Sequence, residues 1–220
     1  MKSFIDRQMR FFDNKEFVIS LVEAMVLFGI ALVVNYFAGT YASDHAGIAV
    51  GDVFLSNIPV VPVAGLFIYG SLVFWIFSMF VYMSHLQKLP FTLKTGALFI
   101  LIRSVFINLT QIGPYADAVS VPATNLLSIF SFKGDLFFSG HTGFPLLMAF
   151  IFWEYKSLRW IFIGWSAGFA LIVLLGHLHY SIDVASAVFI TYTIFHLSQI
   201  LLKKDVRFAR HGISSTNATG

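Results

Sequence analysis

The chain has 220 residues, 58% hydrophobic and 11% charged, with 26 phenylalanines, no cysteine, a net charge of +3 and a mean hydropathy of +0.82. About a quarter of an ordinary soluble domain is charged, and a water-soluble chain of this size cannot hide so much apolar surface. A soluble globule is therefore excluded, as are disulfides and thiolate metal sites, and the solvent for most of the chain is a bilayer.

Residues 1–16 read as a basic cytoplasmic arm carrying Lys2, Arg7, Arg10 and Lys15. Apolar segments follow near 17–40, 60–83, 95–113, 140–155, 159–177 and 183–202. Each is long enough, or nearly so, to cross about 30 Å of hydrocarbon as a helix, and each must be helical because an open strand would leave its amides unpaired in lipid. The first run is long and no small-residue cleavage site follows it at the usual distance, so it reads as a span and not as a cleaved leader. The expected fold is all-α: a polytopic membrane protein with six transmembrane helices in a bundle over 17–202. Residues 203–220 form a basic tail, expected to be disordered at its end.

Orientation follows from the basic residues. The arm, a second connection with Lys88 and Lys94, a fourth with Lys156 and Arg159, and the tail with Lys203, Lys204, Arg207 and Arg210 hold twelve of the 14 lysines and arginines. The positive-inside rule puts both termini in the cytoplasm, in agreement with an even number of spans. The basic excess then marks contact with anionic lipid headgroups and is no sign of nucleic acid.

In this topology His141, His179 and Asp183 reach one face, the exoplasmic one, from separate parts of the chain. His179 and Asp183 are four apart and share a face on a helical turn. A carboxylate accepting from one ring nitrogen fixes the tautomer and raises the basicity of the other. Two imidazoles and a carboxylate suit a covalent route in which one ring takes the phosphorus and the other protonates the leaving alkoxide. Ser139, Gly140 and Gly143 open the fourth helix, whose first amides make an anion cradle. Arg103 lies amid apolar residues near the middle of the third helix, a costly position that marks a functional site, and its guanidinium suits phosphate oxygens. To serve that cradle it must reach outward by about two turns, or the cavity must be deep. Glu23 is an intramembrane acid that either neutralises a cation or packs protonated. His177 points away from His179 and reads as structural; His45, His85, His196 and His211 read as interfacial or solvated.

The segments KGDLFFSGHTG and HYSIDV resemble the two signature motifs of the sphingomyelin synthase family, within the type 2 phosphatidic acid phosphatase superfamily. Gly134, Asp135, Ser139, Gly140, His141 and Thr142 match the first motif; His179, Tyr180, Ile182 and Asp183 match the second, with Ser181 in place of Thr. Asp52 in GDVFLSNIP is similar to the aspartate of a motif ahead of the second helix, and Arg103 with Phe106, Thr110 and Pro114 to the arginine motif of the third. The resemblance implies a catalytic group of His141, His179 and Asp183, with Arg103, Ser139, Gly140, Asp135, Tyr180 and Asp52 as substrate or phosphate contacts. It implies no metal or cofactor, a phospholipid donor, and a lipid hydroxyl acceptor of the ceramide or diacylglycerol type. A lipid phosphatase using water is the alternative, and a non-catalytic lipid transporter a second one. The Lys-x6-Arg-Pro pattern of the phosphatase branch is absent, since Lys94 and Arg103 are nine apart and no proline follows Arg103, which favours the synthase-like branch.

Overall fold

A computed structural model describes residues 10–120, 134 and 136–212. Asp135, the arm before residue 10 and the tail beyond 212 lie outside the described residues. The architecture is all-helical: α1 (Lys15–Asp44), α2 (Ala64–Ser84), α3 (Leu89–Thr110), α4 (Gly140–Ile151), α5 (Lys156–Leu175), α6 (Ser181–Leu201) and α7 (Lys203–His211). All six expected segments are helices, and five of them are long and apolar enough to cross a membrane.

The exception is α4. The apolar run through 155 predicts a span, yet the helix has 12 residues and ends in a turn after Ile151. Twelve residues rise about 18 Å, well short of the hydrocarbon thickness. It is correspondingly the most enclosed element: Phe144, Leu147, Met148, Ala149 and Ile151 are all buried. Around it α2, α3 and α5 supply an aromatic core, with Phe99 and Phe74 meeting the Phe144 ring edge-on at 5.7 and 6.4 Å. The outer faces of α1, α2, α5 and α6 expose Leu, Ile, Val, Met and Phe, as a lipid-facing surface requires.

Helix α1 lies along α3. Beyond Leu21 its buried positions, Ala24, Ala31, Ala38, Gly39 and Ala42, are all small, which lets two backbones approach closely where lipid removes any hydrophobic drive for helix association. The Asn14 side chain caps α1 by accepting from the Phe17 amide at 3.0 Å.

The sequence reading puts Lys88 and Lys94 in a connecting loop. The structure differs: α3 starts at Leu89, with Pro90 in its first turn where a missing N–H costs nothing, and both lysines are buried. Lys94 Nζ meets Asp205 Oδ2 at 3.1 Å, Glu23 Oε2 at 2.9 Å and Ser20 Oγ at 3.0 Å, and Ser20 Oγ also donates to Asp205 Oδ1. Glu23 is thus the partner of a cation. This cluster joins α1, α3 and α7, and Phe208 of α7 packs edge-on against Phe17 of α1 at 5.8 Å. Both ends of the described chain therefore meet at one end of the bundle. Tail residues Lys203–His211, read only as a basic extension, form a helix there because one face carries Asp205 and Phe208 inward while Lys203, Lys204, Arg207 and Arg210 stay exposed.

Removing Lys94 leaves Asp205 buried without its cation. Lys94→Met is expected to destabilise the protein by about 3–5 kcal/mol, and Lys94→Met/Asp205→Leu to recover most of that loss. Thermal unfolding in detergent micelles checks both.

Candidate functional site

The site is built where α4 and α6 begin. Leu136 and Phe138 carry the chain into the bundle, both buried, and Ser139 caps α4, its Oγ accepting from the Thr142 amide at 3.3 Å and sitting 3.1 Å from Thr142 Oγ1. The Ser139 N–H donates to the Asp183 carbonyl at 3.1 Å. One backbone hydrogen bond thus splices the Ser-Gly-His turn to the first turn of α6. At that turn Asp183 Oδ2 accepts from the Tyr180 amide at 2.9 Å and lies 3.2 Å from His179 Nδ1. A proton on Nδ1 directed at the carboxylate leaves the lone pair of His179 on Nε2. Asp183 is fully buried, and its Oδ1 has no hydrogen-bond partner among the described residues.

Arg103 reaches this junction without stretching. Its Nε donates to the Phe138 carbonyl at 2.7 Å, and a Cβ at Gly140 would come within 3.1 Å of the same nitrogen. Because α4 is short, its first residues sit at the depth of mid-α3, so the expected reach of two turns does not arise; the helix start is recessed instead. The glycine at 140 leaves room for the guanidinium to lie against the first turn. Gly143 has another role: a Cβ there would approach Thr191 Oγ1 at 2.8 Å and Phe99 Cζ at 2.9 Å, so it allows α4 to press on α3 and α6.

The His141 ring packs against Phe67 of α2, with centroids 4.3 Å apart, and against Phe169 of α5 at 5.6 Å. It lies within electrostatic range of both His179 and Arg103. His141, His179, Asp183, Arg103, Ser139 and Gly140 are therefore brought together. Phe67 and Phe169, which wall the His141 ring, were not distinguishable in a sequence with so many phenylalanines.

Asp52 and Tyr180 come near the same junction but are engaged with backbone. Asp52 Oδ1 accepts from the amides of Phe54 and Leu55 at 2.8 and 3.0 Å, and its Oδ2 from Ser181 at 2.7 Å. The Tyr180 hydroxyl donates to the Gly113 carbonyl at 2.8 Å and accepts from the Val50 amide at 3.1 Å. These two side chains pin the connections after α1 and α3 onto the His179 turn. Burial pushes the Asp52 carboxyl up, and the amides of Leu55, Ser181 and Phe54 more than offset it, so it is held below the ordinary carboxylate range. His177, at φ 52°, is buried with its ring edge-on to Tyr115 at 5.1 Å. Among the described residues no three His, Cys, Asp or Glu side chains converge on a metal position.

Two outcomes are expected here. Asp52→Asn sets an NH2 group against one of the three donor amides, with a stability loss of about 1–3 kcal/mol. Because the folded pKa is depressed, the charged carboxylate stabilises the protein above the unfolded value of about 3.9, and that contribution disappears as pH falls through the lower folded value. The gap between wild type and Asp52→Asn should accordingly be full near neutrality and close in acid, as followed by thermal unfolding across pH. Gly143→Ala forces Phe99 or Thr191 aside, with a loss of about 1–3 kcal/mol by the same assay.

Residues 134–200 match the family model described as PAP2 superfamily C-terminal. No curated protein and no solved structure matches this chain. The matched stretch begins at the glycine ahead of the Ser-Gly-His turn and contains all of α4, α5 and the His179–Asp183 turn, so Ser139, Gly140, His141, His179 and Asp183, though not Arg103 or Asp52, fall in the part of the chain that supports the type 2 phosphatidic acid phosphatase superfamily and a lipid phosphatase or phosphotransferase type of activity.

Proposed function

We propose that the protein is a membrane lipid phosphotransferase that moves a phospho-headgroup from a glycerophospholipid to a lipid hydroxyl of the ceramide or diacylglycerol type. The observation that carries this reading is the meeting of His141, the His179–Asp183 pair and Arg103 at the buried start of α4. His179 Nε2 attacks phosphorus, forming a P–N bond as the bond to the diacylglycerol oxygen breaks; His141 gives its proton to that oxygen. Asp183 accepts from Nδ1 and stabilises the ring as it becomes charged. The acceptor hydroxyl then loses its proton to His141, its oxygen bonds phosphorus, and the P–N bond breaks to regenerate both histidines. Atoms and protons balance with no metal ion or redox cofactor.

The phosphate oxygens would rest on the Arg103 guanidinium and on the amides of Gly140 and His141, where the helix dipole favours negative charge. Ser139, as the cap, shapes that turn, and Asp52 and Tyr180 hold the opposite turn in register. The apolar walls given to His141 by Phe67 and Phe169 favour a lipid acceptor over water. The distribution of Lys and Arg supports a reaction on the exoplasmic face.

A labelled glycerophospholipid supplied with and without ceramide or diacylglycerol tests the reading. Label should appear in a new lipid only when acceptor is present, His141→Ala should lower turnover by about 10²–10⁴, and His179→Ala should abolish it with folding retained. Release of free phospho-headgroup at the same rate with or without acceptor would assign hydrolysis, and near wild-type turnover in His179→Ala would reject the mechanism.

A further inference from the structure

At the end of α4 remote from His141, a cavity of about 710 Å³ opens between the C-terminal turns of α4 and α6 and the tail helix α7. Phe150, Trp153 and Phe195 line its apolar part, and Lys88, Glu154 and Arg210 its polar part. Phe150 and Phe195 stack with centroids 5.5 Å apart, giving a flat aromatic wall. Lys88 is buried and its Nζ meets Glu154 Oε1 at 2.6 Å and the Ile151 carbonyl at 3.2 Å, so the glutamate charge is already matched. Arg210 is exposed and holds no ion pair among the described residues. With Lys88 matched by Glu154, Arg210 leaves the lining with an excess positive charge.

We infer that this cavity binds an anionic phospholipid from the leaflet at the basic end of the bundle, with its phosphate against Arg210 and its chains along the aromatic wall. The volume suits a lipid headgroup and the first part of an acyl chain. The chemistry selects both halves of such a molecule. A zwitterionic lipid brings a positive charge of its own against Arg210, whereas a soluble phosphate gains nothing from Phe150 and Phe195. The inference stands on different residues from the proposed reaction and does not depend on it.

The test uses the full chain in nanodiscs, with Trp75, Trp160 and Trp165 replaced by Phe so that Trp153 alone fluoresces. Brominated phosphatidylglycerol should quench Trp153 in preference to brominated phosphatidylcholine by about fivefold, the scale of one basic side chain at an anionic membrane surface. Arg210→Gln should bring the ratio near one, and glycerol phosphate should not displace the lipid. A second measurement on the otherwise native chain guards against loss of folding in the tryptophan variant: phosphatidylglycerol should raise the unfolding temperature in mixed micelles relative to phosphatidylcholine, and Arg210→Gln should cancel the rise. Equal quenching by the two lipids, a preference that survives Arg210→Gln, displacement by glycerol phosphate, or an unfolding temperature indifferent to headgroup would each overturn the assignment.

Discussion

Non-helical backbone enters the bundle at Leu136 and runs to Ser139, with Leu136, Phe138 and Ser139 buried and Phe137 half-buried. Backbone of this kind survives inside a membrane protein only where the protein itself satisfies it. Two contacts do so: Arg103 Nε holds the Phe138 carbonyl, and the Asp183 carbonyl holds the Ser139 amide. Everything at the candidate site follows from these bonds. They fix where α4 starts, and they bring that start against the first turn of α6, so that His141 and His179 come from segments nearly forty residues apart yet share one junction. The same bond explains how an arginine is tolerated in the middle of α3. Its Nε is met by a backbone carbonyl that the recessed helix start provides.

The rest of the molecule acts on that junction from both ends. Outside it, Asp52 and Tyr180 tie two connections to the His179 turn through backbone amides and carbonyls, so the imidazole is oriented by more than its own helix. At the other end, the Lys94–Asp205–Glu23–Ser20 cluster fastens α1 and α7 to α3. Buried charges of this kind add little net stability compared with an apolar replacement, but breaking one partner is costly, so the cluster specifies how α1 and the tail helix seat. Between them α4 is packed on nearly every side, which suits a helix that carries an ionisable ring at its first turn.

Hydropathy made the six helices legible, because each needs enough apolar residues to satisfy a bilayer, and the polarity of the connections made the shared end of His141, His179 and Asp183 legible too. The depth of the site was not. Nothing in the run from Phe150 to Trp153 distinguishes a helix that continues from one that stops, since apolar residues suit both a span and a buried turn. The placement of Lys88 and Lys94 was hidden for a related reason: a lysine near a helix start reads as solvated until Glu154 is seen to meet Lys88, and Glu23 and Asp205 to converge on Lys94. Asp52 and Tyr180 carry the residue types of a phosphate contact, and only the tertiary convergence of three amides on one carboxylate, or of an amide and a carbonyl on one hydroxyl, reveals how they are engaged.

The account turns on His179 as the atom that takes the phosphorus while Asp183 holds its other nitrogen. Rapid acid-free quenching of the protein with a headgroup-labelled phospholipid, followed by peptide mass spectrometry, tests that directly. The account predicts an added phospho-headgroup on His179, labile to acid and stable to base, that is discharged when a lipid alcohol is supplied. Modification of His141 in its place, or steady turnover with no protein-bound phosphorus, would contradict it.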